Sequence, residues 1–201
     1  MTETTANALI RLPHTGLRVP DTSLSVTAYR ELTTSDGVAF TANLRVDSKI
    51  VGTIENEGHG GMTLLQPRDW RTYGEKQIEA YAARCRTEEG TAVTAEHLLD
   101  ELIEEADWAR KARGAAAKQR LLLRLMDHIL ENGSERADWP PYPRYRTDSP
   151  MPVSETQWNA LRDELLDRTP PGPHGWWQGW HEGRWRDVTP RPQGVRTDLY
   201  G

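Results

Sequence analysis

Asp36-Gly37-Val38-Ala39-Phe40-Thr41-Ala42-Asn43-Leu44-Arg45-Val46 is the stretch that decides the fold. Val38, Phe40, Ala42, Leu44 and Val46 alternate with Ala39, Thr41, Asn43 and Arg45. Period two sends the first set to one face of a half-buried strand. Asp36-Gly37 before the run is a hairpin-turn signal, and Asp47-Ser48 after it is another. Upstream, Leu24 to Leu32 alternate in the same way apart from Arg30. Downstream comes a third apolar run, Ile50 to Ile54, and a fourth short one, Met62 to Leu65. The pattern predicts an antiparallel meander of three or four strands with one wet face.

Beyond the meander the period changes. Ile78, Tyr81, Ala82 and Cys85 mark a short amphipathic helix. Thr94 suits the N-cap of a longer one, in which Leu98, Leu99, Leu102, Ile103, Ala106 and Ala109 form a stripe. Gly114 is expected to weaken or end it. Leu121, Leu122, Leu125, Met126, Ile129 and Leu130 keep helical spacing up to Asn132-Gly133, so a further helix is expected there. Ser154-Glu155-Thr156-Gln157 has the form of a capping box, with Trp158, Leu161 and Leu165 giving the next helix an apolar face. The turn Glu182-Gly183 between Trp176, Trp177, Trp180 and Trp185 suggests a small hairpin. The expected organisation is a loose N-terminal arm over 1–23, an α+β domain over 24–131 with the meander on two or three helices, a Pro-rich linker over 132–153, and a Trp-rich C-terminal module over 154–201.

Bulk properties exclude some functions. The 201 residues carry a net charge of -5, which argues against broad nucleic-acid affinity. No apolar run reaches the roughly 20 residues that span a bilayer, so no membrane partner is expected. One cysteine, Cys85, allows no internal disulfide and no multi-cysteine zinc site. Met1-Thr2-Glu3-Thr4 has neither the basic region nor the apolar core of a secretory signal. A reduced, cytoplasmic setting is the expectation. Arginine far outnumbers lysine, and eight tryptophans stand against one phenylalanine. Such a skew follows from GC-rich codons as readily as from physical demand.

Candidate sites each have an ordinary reading. Asn56-Glu57-Gly58-His59-Gly60-Gly61 resembles a phosphate loop only in its glycines. It has no Lys-Ser/Thr pair and no helix directly behind it, so it reads as a turn or bulge by which the chain leaves the sheet. His59 is a candidate general base or binding residue. His97 and Glu101 share a helix face at i, i+4, a spacing used by metal sites in bundles and equally by solvated charged faces. Acidic residues from Glu96 to Asp107 precede the basic set Arg110, Lys111, Arg113, Lys118, Arg120 and Arg124. The helix dipole accounts for that order; a basic patch for nucleic acid or an acidic partner is the sharper reading. Trp176, Trp177 and Trp180 are either a binding platform or the core of a small module.

The segment Asp36 to Leu44, then Lys49-Ile50-Val51-Gly52, then Asn56-Glu57-Gly58-His59-Gly60-Gly61 is similar to small uncharacterised proteins of bacteria, their phages and plasmids. In those, a strand pair leads into an Asn-acid-Gly-x-Gly-Gly turn, and an acidic helix and a basic stretch follow. The resemblance covers about residues 25–130 and implies no catalytic residue. In the relatives the basic stretch runs into a strand, whereas Leu121 to Leu130 here has helical period. The leading expectation is a non-enzymatic cytoplasmic binding protein, possible phage or mobile-element origin included, whose partner is another protein and which needs no cofactor. The alternatives are nucleic-acid association through Arg110 to Arg124, and a hydrolase or metal enzyme using His59 or His97.

Overall fold

A computed structural model describes residues 8–127, 145–171 and 175–192. The chain is mixed α+β and divides into two compact units between Ala109 and Arg110.

In the first unit, β1 (Ile10–Arg11) and β2 (Arg18–Val19) form a short hairpin. Then β3 (Leu24–Thr33), β4 (Val38–Val46), β5 (Lys49–Asn56) and β6 (Leu64–Pro67) make a four-stranded antiparallel meander in chain order. The alternation in β4 works as its residues dictate. Ala42 and Leu44 are buried, and Ala42 pairs with Ile54, which is fully enclosed. Asp47 and Ser48 form the two-residue β4–β5 turn, both with positive φ, the geometry that matches strand twist. A bulge interrupts β3 between Thr27 and Arg30, where Ala28 takes φ of 54°.

Helices α1 (Glu75–Ala82) and α2 (Ala95–Ala116) follow. Thr94 caps α2 as expected, its hydroxyl accepting the His97 backbone N–H at 3.1 Å. Ile78, Tyr81, Leu98, Leu99, Leu102 and Ile103 close one core with Leu24, Leu44 and Ile54. Gly114 does not end α2, which runs on to Ala116. The site is exposed, and the roughly 1 kcal/mol disadvantage of glycine is small against a helix of 22 residues.

The expected loose arm over 1–23 needs correction from residue 8 onward. Leu17 and Val19 are buried in the core, and Arg18 exchanges backbone hydrogen bonds with Arg86 at 2.9 Å each way. So short a hairpin leaves no periodic trace in sequence.

The second unit contains β7 (Leu123–Asp127), β8 (Tyr145–Arg146), α3 (Glu155–Arg168), β9 (Gly175–His181) and β10 (Arg184–Asp187). Its sheet has the order β10-β9-β7-β8. The helix expected over 121–130 is therefore a strand through Leu123–Asp127. Leu121, Leu122, Leu123 and Leu125 are all buried, so the run is a strand flanked on both edges by β8 and β9. Short apolar runs of this kind fit either period. Ile129 and Leu130 lie outside the described residues.

The Trp-rich hairpin forms at Glu182-Gly183, both with positive φ. It joins β7 and is not a separate appendage. Ser154 caps α3 by accepting the Gln157 N–H at 3.3 Å. The Gln157 side chain reaches one residue further back than a capping box requires, to the Val153 N–H at 2.6 Å. Of the expected linker, residues 132–144 lie outside the described residues. The remainder is structured, since β8 pairs with β7, Ser149 is buried and Met151 packs on the core of the unit.

Candidate functional site

The glycine stretch is a turn braced by its own first residue. Asn56 accepts the Gly58 N–H at 2.8 Å and donates to the Gly61 carbonyl at 3.0 Å and the Thr63 hydroxyl at 3.2 Å. Gly58 has φ of 74°, and a Cβ there would lie 2.5 Å from the Ala39 nitrogen. Only glycine lets the loop press so closely on β4. The Thr34 hydroxyl donates to the Gly58 carbonyl at 3.0 Å, tying this loop to the β3–β4 turn. His59 then faces Asp36, Nδ1 to Oδ2 3.2 Å, with both side chains more than 60% exposed. Neither is shielded from water, and among the described residues no serine or cysteine side chain completes the pair.

His97 and Glu101 do meet, at 3.3 Å. Their neighbours on α2 hold loops. Glu105 accepts the backbone N–H groups of His14 and Thr15 at 2.9 and 3.0 Å, and Glu96 accepts that of Thr63 at 3.3 Å. Burial pushes the carboxyls of Glu101 and Glu105 above the usual range, against the pull of their hydrogen bonds with the Thr15 segment. This acidic face is an internal clamp on the β1–β2 turn. Among the described residues no group of three His, Cys, Asp or Glu side chains is arranged to hold a metal ion. Cys85 is buried, and its thiol is pushed up to about 11 by that burial.

The basic set does not form one surface. Arg110, Arg113 and Lys118 are exposed. Lys111 lies over the Tyr145 ring at 4.2 Å, and Arg120 donates to the Asp148 carbonyl at 2.6 Å. Arg124 is buried inside the sheet of the second unit. Its guanidinium sits 3.9 Å from the Trp185 ring and donates to Gln178 Oε1 at 3.0 Å. The reading of Arg124 as a surface contact is corrected: β7 is central, and alternate residues of a central strand point into packed layers.

The platform reading of Trp176 and Trp177 is corrected likewise, because both are fully buried. Trp177 donates to the Thr169 carbonyl at 2.8 Å and Trp176 to Asp187 at 3.1 Å, so each indole N–H has an internal acceptor. Trp180 is half-buried against Trp185, ring centroids 5.1 Å apart.

The residue that sequence reasoning missed is Trp70, 71% exposed in the loop between β6 and α1. The loop is stiffened from within. Asp69 accepts the Arg71 N–H at 3.0 Å and the Thr72 hydroxyl at 2.6 Å, which holds its carboxyl below the usual range. Arg71 lies 5.4 Å from the indole centroid, and Arg68 stands on the other side in sequence. The available signal was a lone tryptophan among Arg68, Asp69, Arg71 and Thr72, outside the strand and helix patterns.

The other end of the meander carries a shallow depression of about 380 Å³, lined mainly by residues whose strand parity is opposite to that of buried Ala42 and Leu44. Arg30, Leu32, Ala39, Thr41, Glu55 and Glu57 share that parity, and Glu31, Phe40 and Asn56 complete the lining. Leu32 is 70% exposed, and Leu64, paired with Glu55 on the neighbouring strand, is exposed as well. Comparison with family models, curated proteins and solved structures returns no match.

Proposed function

We propose that this chain is a non-enzymatic cytoplasmic binding protein whose partner is another protein, engaged through the first unit. The observation that carries this reading is the uncovered face of the meander. One face closes the core with α1 and α2, while the opposite face leaves Leu32 and Leu64 exposed beside a charged depression. Exposed apolar groups rimmed by charge are what protein interfaces use. The side chains with chemical potential support the same reading by their occupations: Glu105 clamps a turn, Asn56 and Gly58 shape another, and Cys85 is enclosed.

The test is a photo-crosslinking amino acid at position 32 or 64, with position 166 as an exposed control. Adducts of one defined mass at 32 and 64, competed away by excess unlabelled protein and absent at 166, are expected. Adducts at 166 alone, or at none of the positions, would overturn the proposal.

A further inference from the structure

The first unit carries a protrusion and a recess that match. The protrusion is Trp70 with Arg68 and Arg71, on a loop whose acid, Asp69, is already engaged by its own backbone and Thr72. The recess is the depression over Leu32 and Ala39, where Glu31, Glu55 and Glu57 supply negative charge against the single positive charge of Arg30. We infer that the recess of one copy receives the Trp70 loop of a second copy, so that the chain associates head to tail. This rests on the reading of the uncovered face as a protein-binding surface, and names its partner.

Register rules out seating within one copy. Strand β6 runs from Leu64, opposite Glu55, to Pro67, opposite Gly52. Trp70 follows Pro67, so the loop leaves at the Gly52 end of β5. Glu57 follows Asn56 at the other end of β5, and Asn56 pairs with Phe40. Protrusion and recess therefore sit at opposite ends of the sheet. Size and charge agree. The recess, about 380 Å³, falls at the lower end of the roughly 300–1,000 Å³ that hold small ligands, enough for one indole. The loop, with Arg68 and Arg71 against Asp69, carries net positive charge, and the recess, with Glu31, Glu55 and Glu57 against Arg30, carries net negative charge, an arrangement that fixes orientation and excludes like-charged surfaces. Tryptophan and arginine are the residues that most often dominate interface energy. The internally braced loop presents the indole already ordered, which lowers the entropy lost on binding. Seated once per copy, head to tail, the contact is heterologous and builds rings or open chains; seated reciprocally, it would close a two-fold pair.

The experiment is sedimentation of the full chain across a concentration series, with folding of every variant confirmed by circular dichroism. Mass should rise with concentration and fall with added salt. Trp70→Ala, which keeps the recess, and Leu32→Arg, which keeps the protrusion, should each weaken association about 30-fold or more, the scale of a hot-spot residue. Mixed together, they should form a one-to-one pair and nothing larger. A wild-type chain that stays monomeric at the highest concentration overturns the inference, as does a Trp70→Ala variant that associates like wild type, or folded variants that fail to pair. A monomeric wild type that still gives a competed adduct of foreign mass at position 32 would sink the self-partner while leaving the protein-binding reading in place; loss of both would sink both.

Discussion

Replacing the glycines of the 56–61 turn by alanine, one at a time, separates conformational strain from steric contact. At Gly60 the backbone is left-handed, φ 75°, but nothing lies within 4 Å of the point where a Cβ would stand, so only strain is added. An L-residue in that region costs about 1–2 kcal/mol. Alanine's smaller unfolded-state freedom offsets about 0.4–1 kcal/mol of that. The expected net loss for Gly60→Ala is therefore about 1 kcal/mol. Gly58→Ala carries the same strain at φ 74° and adds a Cβ 2.5 Å from the Ala39 nitrogen and 2.8 Å from the Val38 carbonyl carbon. Those are backbone atoms of a paired strand and cannot swing aside. Overpacking of this kind adds about 1–3 kcal/mol, for a total of about 2–4 kcal/mol. Gly61 has no positive φ and no close neighbour, so Gly61→Ala is expected to be neutral or stabilising by up to about 0.5 kcal/mol. Hydrogen exchange of the β4 and β5 amides reads the loss locally. Gly58→Ala should speed exchange there roughly 30- to 1,000-fold, since each 1.4 kcal/mol is tenfold. Equal effects at positions 58 and 60, or a loss at 61 as large as at 58, would refute the reasoning that contact with β4 fixes this glycine.

Glu105→Ala should destabilise the first unit by about 1–3 kcal/mol, because the His14 and Thr15 N–H groups lose their acceptor. Glu105→Gln keeps an oxygen there without the charge that burial disfavours, so at pH 7 it should be neutral or stabilising in urea denaturation. The folded carboxyl titrates above its unfolded value, so the charged form is the less favoured one. Wild-type stability relative to Glu105→Gln should rise as pH falls through the folded value, and a rise in the opposite direction would contradict the assignment. Arg124→Ala should cost the second unit about 2–4 kcal/mol, because the buried Gln178 oxygen loses its donor and the Trp185 ring its cation, read as early loss of the near-ultraviolet circular dichroism of Trp185. Trp177→Ala should cost about 3–5 kcal/mol, whereas exposed Trp70→Ala should stay within about 0.5 kcal/mol of wild type; thermal unfolding of the pair separates a core tryptophan from a surface one.

The meander was legible because each element announces itself locally. Val38 to Val46 alternates, Asp47-Ser48 breaks the run, and Glu182-Gly183 supplies the two residues that a tight hairpin needs. The caps at Thr94 and Ser154 are similarly local. Leu121 to Leu125 was not legible, because its partners in the sheet, β8 and β9, are both distant in sequence, β9 by more than 50 residues. With Leu121, Leu122, Leu123 and Leu125 all buried, no wet face exists to reveal a period. The same long-range pairing hid the burial of Arg124. Trp70 escaped notice for the opposite reason: it belongs to no periodic pattern, and a loop stiffened by Asp69 looks in sequence like any polar connection. Asp36 could not be matched to His59 from spacing, since 23 residues and a strand pair separate them.

The bulge at Ala28 interrupts β3, the ten-residue strand at one margin of the meander. A straight strand of that length would expose an unbroken row of amide and carbonyl groups, a template on which any extended chain can polymerise. The kink at φ 54° stores local strain and in return breaks the template near its middle. Backbone edges accept nearly any sequence, whereas a kinked and twisted one accepts few. The bulge thus works against promiscuous, amyloid-like growth along this margin.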